Sequence, residues 1–230
     1  MDELPRYILV TGTDTGVGKT YVTAALAAGL LVRAVKQRVV HTRPVRALKP
    51  VATGVPEGEV PEDAALIALG AGHEPLWYAA FTEALSPHLA AERDVRPLNV
   101  LGMEAWIREE AGAITLVEGA GGWEVPLSLD FRVADLASAL LAEVIVVARN
   151  RLGVLNHVLL TVNAVRARGR KVLGVVLSPP EANDLVARTN PIELRRLLPG
   201  IPVVEMGHLS IDDEESRWWV GGDLVEALGF

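Results

Sequence analysis

Short apolar runs typical of buried strands alternate with stretches of helical periodicity along the whole chain, and this alternation constrains the fold more than any other feature. The pattern predicts strands at residues 7–10, 45–51, 114–117, 144–148, 172–177 and 202–204, and helices at 19–31, 62–70, 100–110, 155–168 and 192–198. Elements in that order build an α/β fold in which helices flank a parallel β-sheet. The 230 residues show no internal repeat, so we expect a single domain spanning positions 1–230.

The composition excludes several classes of function. The chain has no cysteine, so disulfides, thiolate nucleophiles and zinc–thiolate sites are excluded. The net charge of -7 argues against a nucleic-acid binder, which would normally carry a basic face. No apolar run approaches the length of a bilayer span, and the first residues lack the basic-then-apolar order of a signal peptide. We therefore expect a cytoplasmic protein that binds neither membranes nor nucleic acids.

A glycine-rich loop lies between the first predicted strand and the helix that follows it. Its residues are Gly12, Thr13, Asp14, Thr15, Gly16, Val17, Gly18, Lys19 and Thr20. Backbone N–H groups in such a loop converge on a phosphate, because glycine tolerates the backbone angles required. Lys19 would reach the β- and γ-phosphates of a nucleotide, and the Thr20 hydroxyl would ligate Mg²⁺. The loop predicts a P-loop NTPase-like fold; the alternative is a strand-to-helix turn that binds no ligand.

The spacing of this loop departs from the standard phosphate-loop pattern. That pattern places its first glycine at position 13, whereas here Gly12 stands one residue earlier and Thr13 follows. Switch ATPases of the partitioning and metal-delivery type carry a signature lysine five residues before the loop lysine, and this chain has Asp14 there. A carboxylate cannot supply the positive charge that those enzymes direct at the phosphates. The sequence therefore disfavours a switch ATPase regulated by a protein partner.

Two acids are candidates for the neighbourhood of a metal ion. Glu118 ends a strongly apolar predicted strand, at the edge where parallel strand ends meet. We interpret it as an acid close to Mg²⁺, with a solvated strand-end acid as the alternative. Asp63 opens the second predicted helix. From the residues alone, a second Mg²⁺ ligand and an ordinary first-turn acid are equally good interpretations of it.

A lysine interrupts the apolar residues of the second predicted strand. This residue, Lys49, would be costly to bury unless an anion met its ammonium group. A phosphate or a carboxylated amine is the natural partner. The alternative is a strand-end lysine whose ammonium group reaches water.

Taken together, these motifs resemble those of dethiobiotin synthetase. The resemblance rests on the loop at 12–20, Lys-Pro-Val-Ala-Thr-Gly at 49–54, Ser-Pro-His at 86–88, Val-Glu-Gly-Ala-Gly-Gly at 117–122 with Trp-Glu-Val-Pro-Leu after it, and Leu-Gly-Val-Leu-Asn-His at 152–157. The match runs in order from the first strand to about position 177. That family consists of homodimeric α/β P-loop enzymes that use ATP, Mg²⁺, carbon dioxide and 7,8-diaminopelargonate (7,8-diaminononanoate).

The resemblance implies a role for each motif. It makes Lys19, Lys49 and Thr15 catalytic. It assigns ATP binding to Thr13, Asp14, Thr15, Gly16, Val17, Gly18, Lys19, Thr20, Glu118, Gly121 and Ser178, substrate binding to Lys49, Thr53, Gly153, Val154, Leu155 and Asn156, and Mg²⁺ binding to Thr20, Asp63 and Glu118. The segment around Gly153 would receive the distal carboxylate of a substrate held by the neighbouring subunit, because a helix N-terminus offers free N–H groups. The active site is then expected near the interface of a homodimer.

The implied reaction needs no protein nucleophile, which fits a chain without cysteine. One amine of the diamine forms a carbamate, the carbamate attacks the γ-phosphate, and the second amine closes the cyclic urea of dethiobiotin with release of ADP and phosphate. A related amidation enzyme acting on a larger acid is a further alternative. Such proteins normally carry a glutaminase part, for which this chain has neither the length nor a cysteine.

Several positions depart from the family pattern. Gly16 replaces a residue that is often acidic, and Ser178 stands where an asparagine usually recognises adenine. A serine hydroxyl makes fewer contacts than an amide, so selectivity for ATP over other nucleotides stays open. The basic stretch from Arg33 to Arg46 is longer than the family norm, and we interpret it as a solvated excursion rather than a polyanion site. His88 is expected to pack or to position substrate rather than to transfer a proton.

Overall fold

The computed structural model describes residues 5–38, 41–180, 182 and 184–230. Within these residues one sheet is formed by β1 (Arg6–Gly12), β2 (Val45–Thr53), β3 (Trp77–Phe81), β4 (Ile114–Gly122), β7 (Glu143–Arg149), β8 (Val172–Ser178) and β9 (Val203–Glu205). Neighbouring strands pair in parallel, in the order β3-β2-β4-β1-β7-β8-β9. A small antiparallel ribbon consists of β5 (Pro126–Ser128) and β6 (Phe131–Arg132).

Helices connect the strands and cover both faces of the sheet. They are α1 (Lys19–Lys36), α2 (Glu62–Ala71), α3 (Pro87–Arg93), α4 (Val100–Glu109), α5 (Val133–Ala139), α6 (Val154–Ala167), α7 (Leu185–Leu197) and α8 (Glu214–Ala227). None of the described helices is long and apolar enough to cross a membrane. The predicted fold class, a parallel sheet flanked by helices, is confirmed.

The two faces of the sheet belong to two apolar clusters, because successive side chains of a strand point to opposite sides. In β1, Ile8 and Val10 face a cluster that also contains side chains of α1, α2 and α8. Leu9 faces the other cluster, to which α3 to α7 contribute. Burial on both sides explains why these strands read as continuous apolar runs in the sequence.

The helix α8 packs unusually close to α1. A Cβ atom added to Gly221 would lie 2.0 Å from the carbonyl oxygen of Ala25, so the two backbones are in contact at this point. The next residue, Gly222, has no heavy atom within 4 Å of an added Cβ among the described residues. Only the first of these two glycines is required by packing.

The structure extends most of the predicted elements and adds others. The strand ends reach Gly12, Thr53 and Gly122, each farther than the apolar runs indicated. The sequence pattern missed β3, β5, β6, α3, α5 and α8. It also placed the start of α7 too late: the helix begins at Leu185 and continues through Pro191. The division into domains stays a prediction.

The basic stretch is less of an excursion than expected. Its first part belongs to α1, which runs through Lys36. Its last part is held in place, because Arg43 and Arg46 both form ion pairs with Glu110 beyond the end of α4. Positions 39 and 40 lie outside the described residues.

Candidate functional site

The glycine-rich loop joins the carboxyl end of β1 to the first turn of α1, near the centre of the sheet. Gly18, the residue before the helix, has φ 95°, a left-handed conformation that glycine adopts at little cost. The next residue, Lys19, is buried, and its ammonium group donates to the carbonyl oxygen of Asp14 at 3.3 Å. The lysine thus folds back over the loop, which is the position expected for a phosphate-binding cation.

A second lysine lies opposite this loop, between two carboxylates. Lys49 Nζ is 2.7 Å from Glu118 Oε1 and 2.7 Å from Asp63 Oδ2. The Thr20 hydroxyl is 2.9 Å from Asp63 Oδ1 and 3.1 Å from Glu118 Oε1, and its single proton serves one of them at a time. Four side chains from α1, β2, α2 and β4 therefore form one connected cluster.

Burial decides between the alternative interpretations of Glu118 and Lys49. Only 1 % of Glu118 and 4 % of Lys49 is exposed. The readings as a solvated strand-end acid and as a lysine reaching water are therefore both wrong. Asp63 lies in the first turn of α2, as an ordinary helix acid would, but it also contacts Lys49 and Thr20.

The electrostatics favour the charged forms of Lys49 and Asp63. Burial lowers the pKa of Lys49, but the neighbouring Glu118 and Asp63 carboxylates outweigh it and hold that pKa above its usual value. Burial likewise raises the pKa of Asp63, and the ammonium of Lys49 outweighs it and holds that pKa low. The pKa of Lys19 is lowered, first by burial and then by the positive charge of Lys49. An incoming phosphate would relieve the repulsion between the two lysines.

The arrangement fits a magnesium ion. The second carboxylate oxygen of Glu118, Oε2, is buried and has no hydrogen-bond partner among the described residues, a state that is costly unless a further ligand is bound. Thr20 and Asp63 supply further oxygens of the same cluster. The part of the chain that the structure describes has no group of three or more His, Cys, Asp or Glu side chains able to hold a metal. A set of two carboxylates and a hydroxyl is what Mg²⁺ uses when phosphates and water complete its shell.

A cavity of about 770 Å³ lies over this cluster. It is lined by ten of the predicted site residues: Thr15, Gly16, Gly18, Lys19, Thr20, Lys49, Thr53, Asp63, Glu118 and Gly121. Ser86 and Pro87 also line it, and Ser86 forms a hydrogen bond with His88 Nδ1 at 3.0 Å; the role of His88 stays a prediction. A larger cavity of about 860 Å³ runs along β3, but it shares none of these residues.

Other predicted site residues line two neighbouring cavities. One of about 330 Å³ is lined by Gly16, Val17, Gly18 and Ser178 and continues from the loop on the side of β8. The other, of about 510 Å³, lies between the loop and α6 and is lined by Thr13 and Asp14, among others. The structure thus separates these two residues from the main cavity.

The predicted carboxylate-binding segment lies at the N-terminus of α6. Gly153, with φ 92°, precedes the first residue of α6, and the helix N-terminus is formed as expected. All four residues of this segment, 153–156, are described, and none of them lines the main cavity. Their substrate-binding role stays a prediction.

Sequence reasoning missed Arg149. This residue ends β7, the strand that pairs with β1 on the side away from β4, and its guanidinium donates to the carbonyl oxygen of Gly16 at 2.6 Å. A basic residue at the carboxyl end of a buried strand was the available signal, but the strand order needed to place it beside the loop was not known.

Comparison with known proteins places this geometry in a family. A family model described as an AAA domain matches residues 6–209. The ATP-dependent dethiobiotin synthetase BioD of Anaeromyxobacter sp. (strain Fw109-5) is 38 % identical over 219 residues, which cover 93 % of this chain and 95 % of that protein. The protein of the same name from Aquifex aeolicus (strain VF5) is 37 % identical over 188 residues, covering 80 % and 81 %. The chain belongs to the ATP-dependent dethiobiotin synthetase family.

A solved structure agrees with the fold. The septum site-determining protein MinD complexed with Mg-ADP, from Pyrococcus horikoshii OT3, aligns with a TM-score of 0.52 at 14 % identity, covering 97 % of this chain and 94 % of that one. At this identity the likeness concerns the fold alone. Membership of the dethiobiotin synthetase family confirms the predicted family and favours an ATP-dependent enzyme over a switch ATPase.

Proposed function

We propose that this chain carboxylates 7,8-diaminopelargonate with carbon dioxide and closes it to dethiobiotin, converting ATP to ADP and phosphate. The observation that carries the proposal is the convergence of Lys19, Lys49, Thr20, Asp63 and Glu118 on one cavity. The family assignment supports the same activity.

The loop and its lysine are proposed to bind the phosphates of ATP. Its N–H groups and the buried Lys19 ammonium would surround the β- and γ-phosphates, where negative charge accumulates during transfer. Lys49, opposite the loop, would meet the carbamate or the transferred phosphoryl group. Thr15 and Thr53 line the cavity, and their hydroxyl groups would donate hydrogen bonds to the same anions.

Magnesium is proposed at Thr20, Asp63 and Glu118. When bound there, it would neutralise charge on the β- and γ-phosphates. The residues themselves keep the oxygens in place: Lys49 holds one oxygen of each carboxylate, so that Oε2 of Glu118 is left for the ion.

The proposed chemistry occurs on the substrate. One amine adds to carbon dioxide and loses a proton, giving a carbamate. A carbamate oxygen attacks the γ-phosphorus, the bond to the β-phosphate oxygen breaks, and ADP leaves. The second amine then attacks the carbamate carbon, phosphate leaves with the former carbamate oxygen, and the amine loses its proton. The protein supplies position and charge, which account for large rate effects without a covalent intermediate.

The diamine is proposed to span two subunits of a homodimer. Its distal carboxylate would bind the N-terminus of α6, at Gly153 to Asn156, of the neighbouring chain. The absence of this segment from the lining of the main cavity of its own chain supports that arrangement, as do the free N–H groups of a helix N-terminus. Ser178, which lines the smaller cavity, would lie near the base of the nucleotide.

The direct test measures phosphate release with ATP and Mg²⁺, with and without the diamine and bicarbonate, and identifies the product by mass. We expect release that requires the diamine, a cyclic urea product, and loss of both in Lys49→Met. Lys171→Met, which removes an exposed lysine paired with Glu143, is the matched control and should stay active. ATP hydrolysis indifferent to the diamine, with no urea, would overturn the proposal.

Subunit mixing tests the shared site. A Lys49→Met chain and a chain altered at the α6 N-terminus, such as Asn156→Asp, should each be inactive alone. In a mixed dimer one site would combine the intact loop of one chain with the intact helix of the other. Random pairing would then restore about a quarter of wild-type activity. No recovery from dimers shown to exchange subunits would place both elements in one chain.

A further inference from the structure

The strand β7 ends beside the phosphate loop. It pairs in parallel with β1, with Gly12 opposite Val147, and two residues later Arg149 ends the strand. The side chain of Arg149 turns to the loop, where its Nη2 donates to the carbonyl oxygen of Gly16 at 2.6 Å. This is a charge-assisted hydrogen bond between two segments 133 positions apart.

Peptide geometry connects this bond to the inside of the loop. In a planar trans peptide the C=O of one residue and the N–H of the next point in opposite directions. Holding the oxygen of Gly16 toward Arg149 therefore directs the N–H of Val17 away from Arg149. A phosphate loop functions by the direction of its N–H groups, so fixing this one peptide affects anion binding.

The loop needs an external restraint at this point. Gly16 has φ 70°, and a Cβ atom added to it would meet no heavy atom within 4 Å among the described residues. Gly16 thus has no side chain whose packing could limit rotation of this peptide, although the Val17 side chain at its other end is buried.

We propose that Arg149 is a positioning residue of the phosphate loop, which fixes the Gly16–Val17 peptide in the orientation that binds the nucleotide. The inference rests on the proposed nucleotide site. It differs from a direct role in that the guanidinium acts through the backbone of the loop.

The backbone that carries Arg149 is itself anchored. Asn150 is buried and donates through Nδ2 to the carbonyl oxygen of Ala187 in α7 at 2.8 Å. Asn190, also buried, donates to Asn150 Oδ1 at 2.9 Å and to the carbonyl oxygen of Arg151 at 3.2 Å. Buried amides satisfied in this way hold a single geometry. The two residues after Arg149 are thus fixed to α7, and the arginine has a rigid base from which to hold the loop.

The test compares Arg149→Met with Arg149→Lys. Arg196→Met is the control, because it removes an exposed arginine that, among the described contacts, pairs only with Glu193 of its own helix. ADP and AMP affinities are measured by calorimetry. Losing a charge-assisted hydrogen bond should weaken ADP binding by about tenfold in Arg149→Met. AMP, which lacks the phosphates beyond the first, should be affected much less, and Arg149→Lys should recover part of the ADP affinity.

Hydrogen exchange of the nucleotide-free protein separates positioning from direct contact. If Arg149 restrains the loop, the backbone amides of residues 13–18 should exchange faster in Arg149→Met than in the wild type. Their exchange rates should be unchanged in Arg196→Met. Weaker ADP binding with unchanged exchange would show a direct contact and overturn the inference, and so would an unchanged ADP affinity. In both cases wild-type dethiobiotin formation leaves the proposed function intact. A wild-type protein that binds no nucleotide would instead overturn the proposed function and the inference with it.

Discussion

Replacing Lys49 with methionine removes the only ammonium that contacts both carboxylates of the cluster among the described residues. In the folded protein its Nζ lies 2.7 Å from an oxygen of Glu118 and 2.7 Å from one of Asp63. Methionine keeps most of the side-chain volume, so the change leaves packing nearly intact and removes the charge. Glu118 is then left buried without its ammonium partner.

The magnitude follows from two limits. Removing one member of a buried ion pair costs about 3–5 kcal/mol. A carboxylate without its partner can instead take up a proton, and the cost of protonation limits the loss. At pH 7, protonating a carboxyl group of ordinary pKa costs about 4 kcal/mol, at 1.36 kcal/mol per pKa unit. The expected loss of unfolding free energy is therefore about 3–4 kcal/mol, which lowers the Tm of a chain of this size by roughly 6–15 °C.

Urea unfolding of the nucleotide-free and magnesium-free protein measures this loss. The comparison includes Lys49→Met, Glu118→Gln and the double variant, with Lys171→Met as a control for a solvent-exposed lysine whose ion pair is worth less than about 1 kcal/mol. Because the double variant leaves no buried unpaired charge at Glu118, it should be more stable than the sum of the single losses predicts, by about 2 kcal/mol. Losses that add to within about 0.5 kcal/mol would refute the reasoning.

The pH dependence gives a second check, which concerns the ion pair between Lys49 and Asp63. The pKa of Lys49 is raised, so its contribution is complete below the unfolded pKa of about 10.4 and is lost as the pH rises through the folded pKa. The pKa of Asp63 is lowered, so its contribution is present above the unfolded pKa of about 3.9 and is lost as the pH falls through the folded pKa. The difference between wild type and Lys49→Met should therefore be largest near neutral pH.

Three further predictions concern the metal, a histidine and the helix contact. Thr20→Val should keep ADP affinity without Mg²⁺ but raise the Mg²⁺ concentration needed for half-maximal activity, by about tenfold; an unchanged requirement would remove Thr20 from the metal site. Burial lowers the pKa of His73, whose Nε2 accepts the backbone N–H of Ala47 at 3.1 Å. Its contribution to stability should be present above the unfolded pKa of about 6.5 and lost as the pH falls through the folded pKa, so His73→Gln should flatten the dependence of unfolding free energy on pH. Gly221→Ala should cost about 1–3 kcal/mol because its methyl group meets α1, whereas Gly222→Ala should be neutral or gain up to about 1 kcal/mol; equal thermal shifts would contradict the contact.

The central strands were predictable because they are buried on both faces and carry almost unbroken apolar runs. The edge strand β3 was not, because four of its five residues are only partly covered and Phe81 alone is buried, and such a short run is indistinguishable from a loop. The helix α8 was missed for another reason. Gly221 and Gly222 disfavour a helix by intrinsic propensity, and close packing on α1 overrides that preference. In α7, Pro191 concealed a helix that had already begun at Leu185.

The site divides in the same way. The loop from Gly12 to Thr20 was readable because its chemistry is local: glycines, a lysine and a hydroxyl occupy consecutive positions between a strand and a helix. Asp63 could not be distinguished from an ordinary helix acid, since a first-turn carboxylate stabilises any helix. Its contact with Thr20 joins positions 43 apart.

The sequence by itself determined the phosphate loop, the α/β alternation and the family, because each depends on neighbouring residues or on their order along the chain. Tertiary structure alone decided which distant side chains meet. The strand order β2-β4-β1-β7 brings Lys49, Glu118 and Arg149 to the same edge of the sheet around the loop. That order is set by how helices and strands pack across both faces of the sheet, and it cannot be predicted from the local sequence. The burial that forces Lys49 and Glu118 to pair arises only when the sheet is assembled.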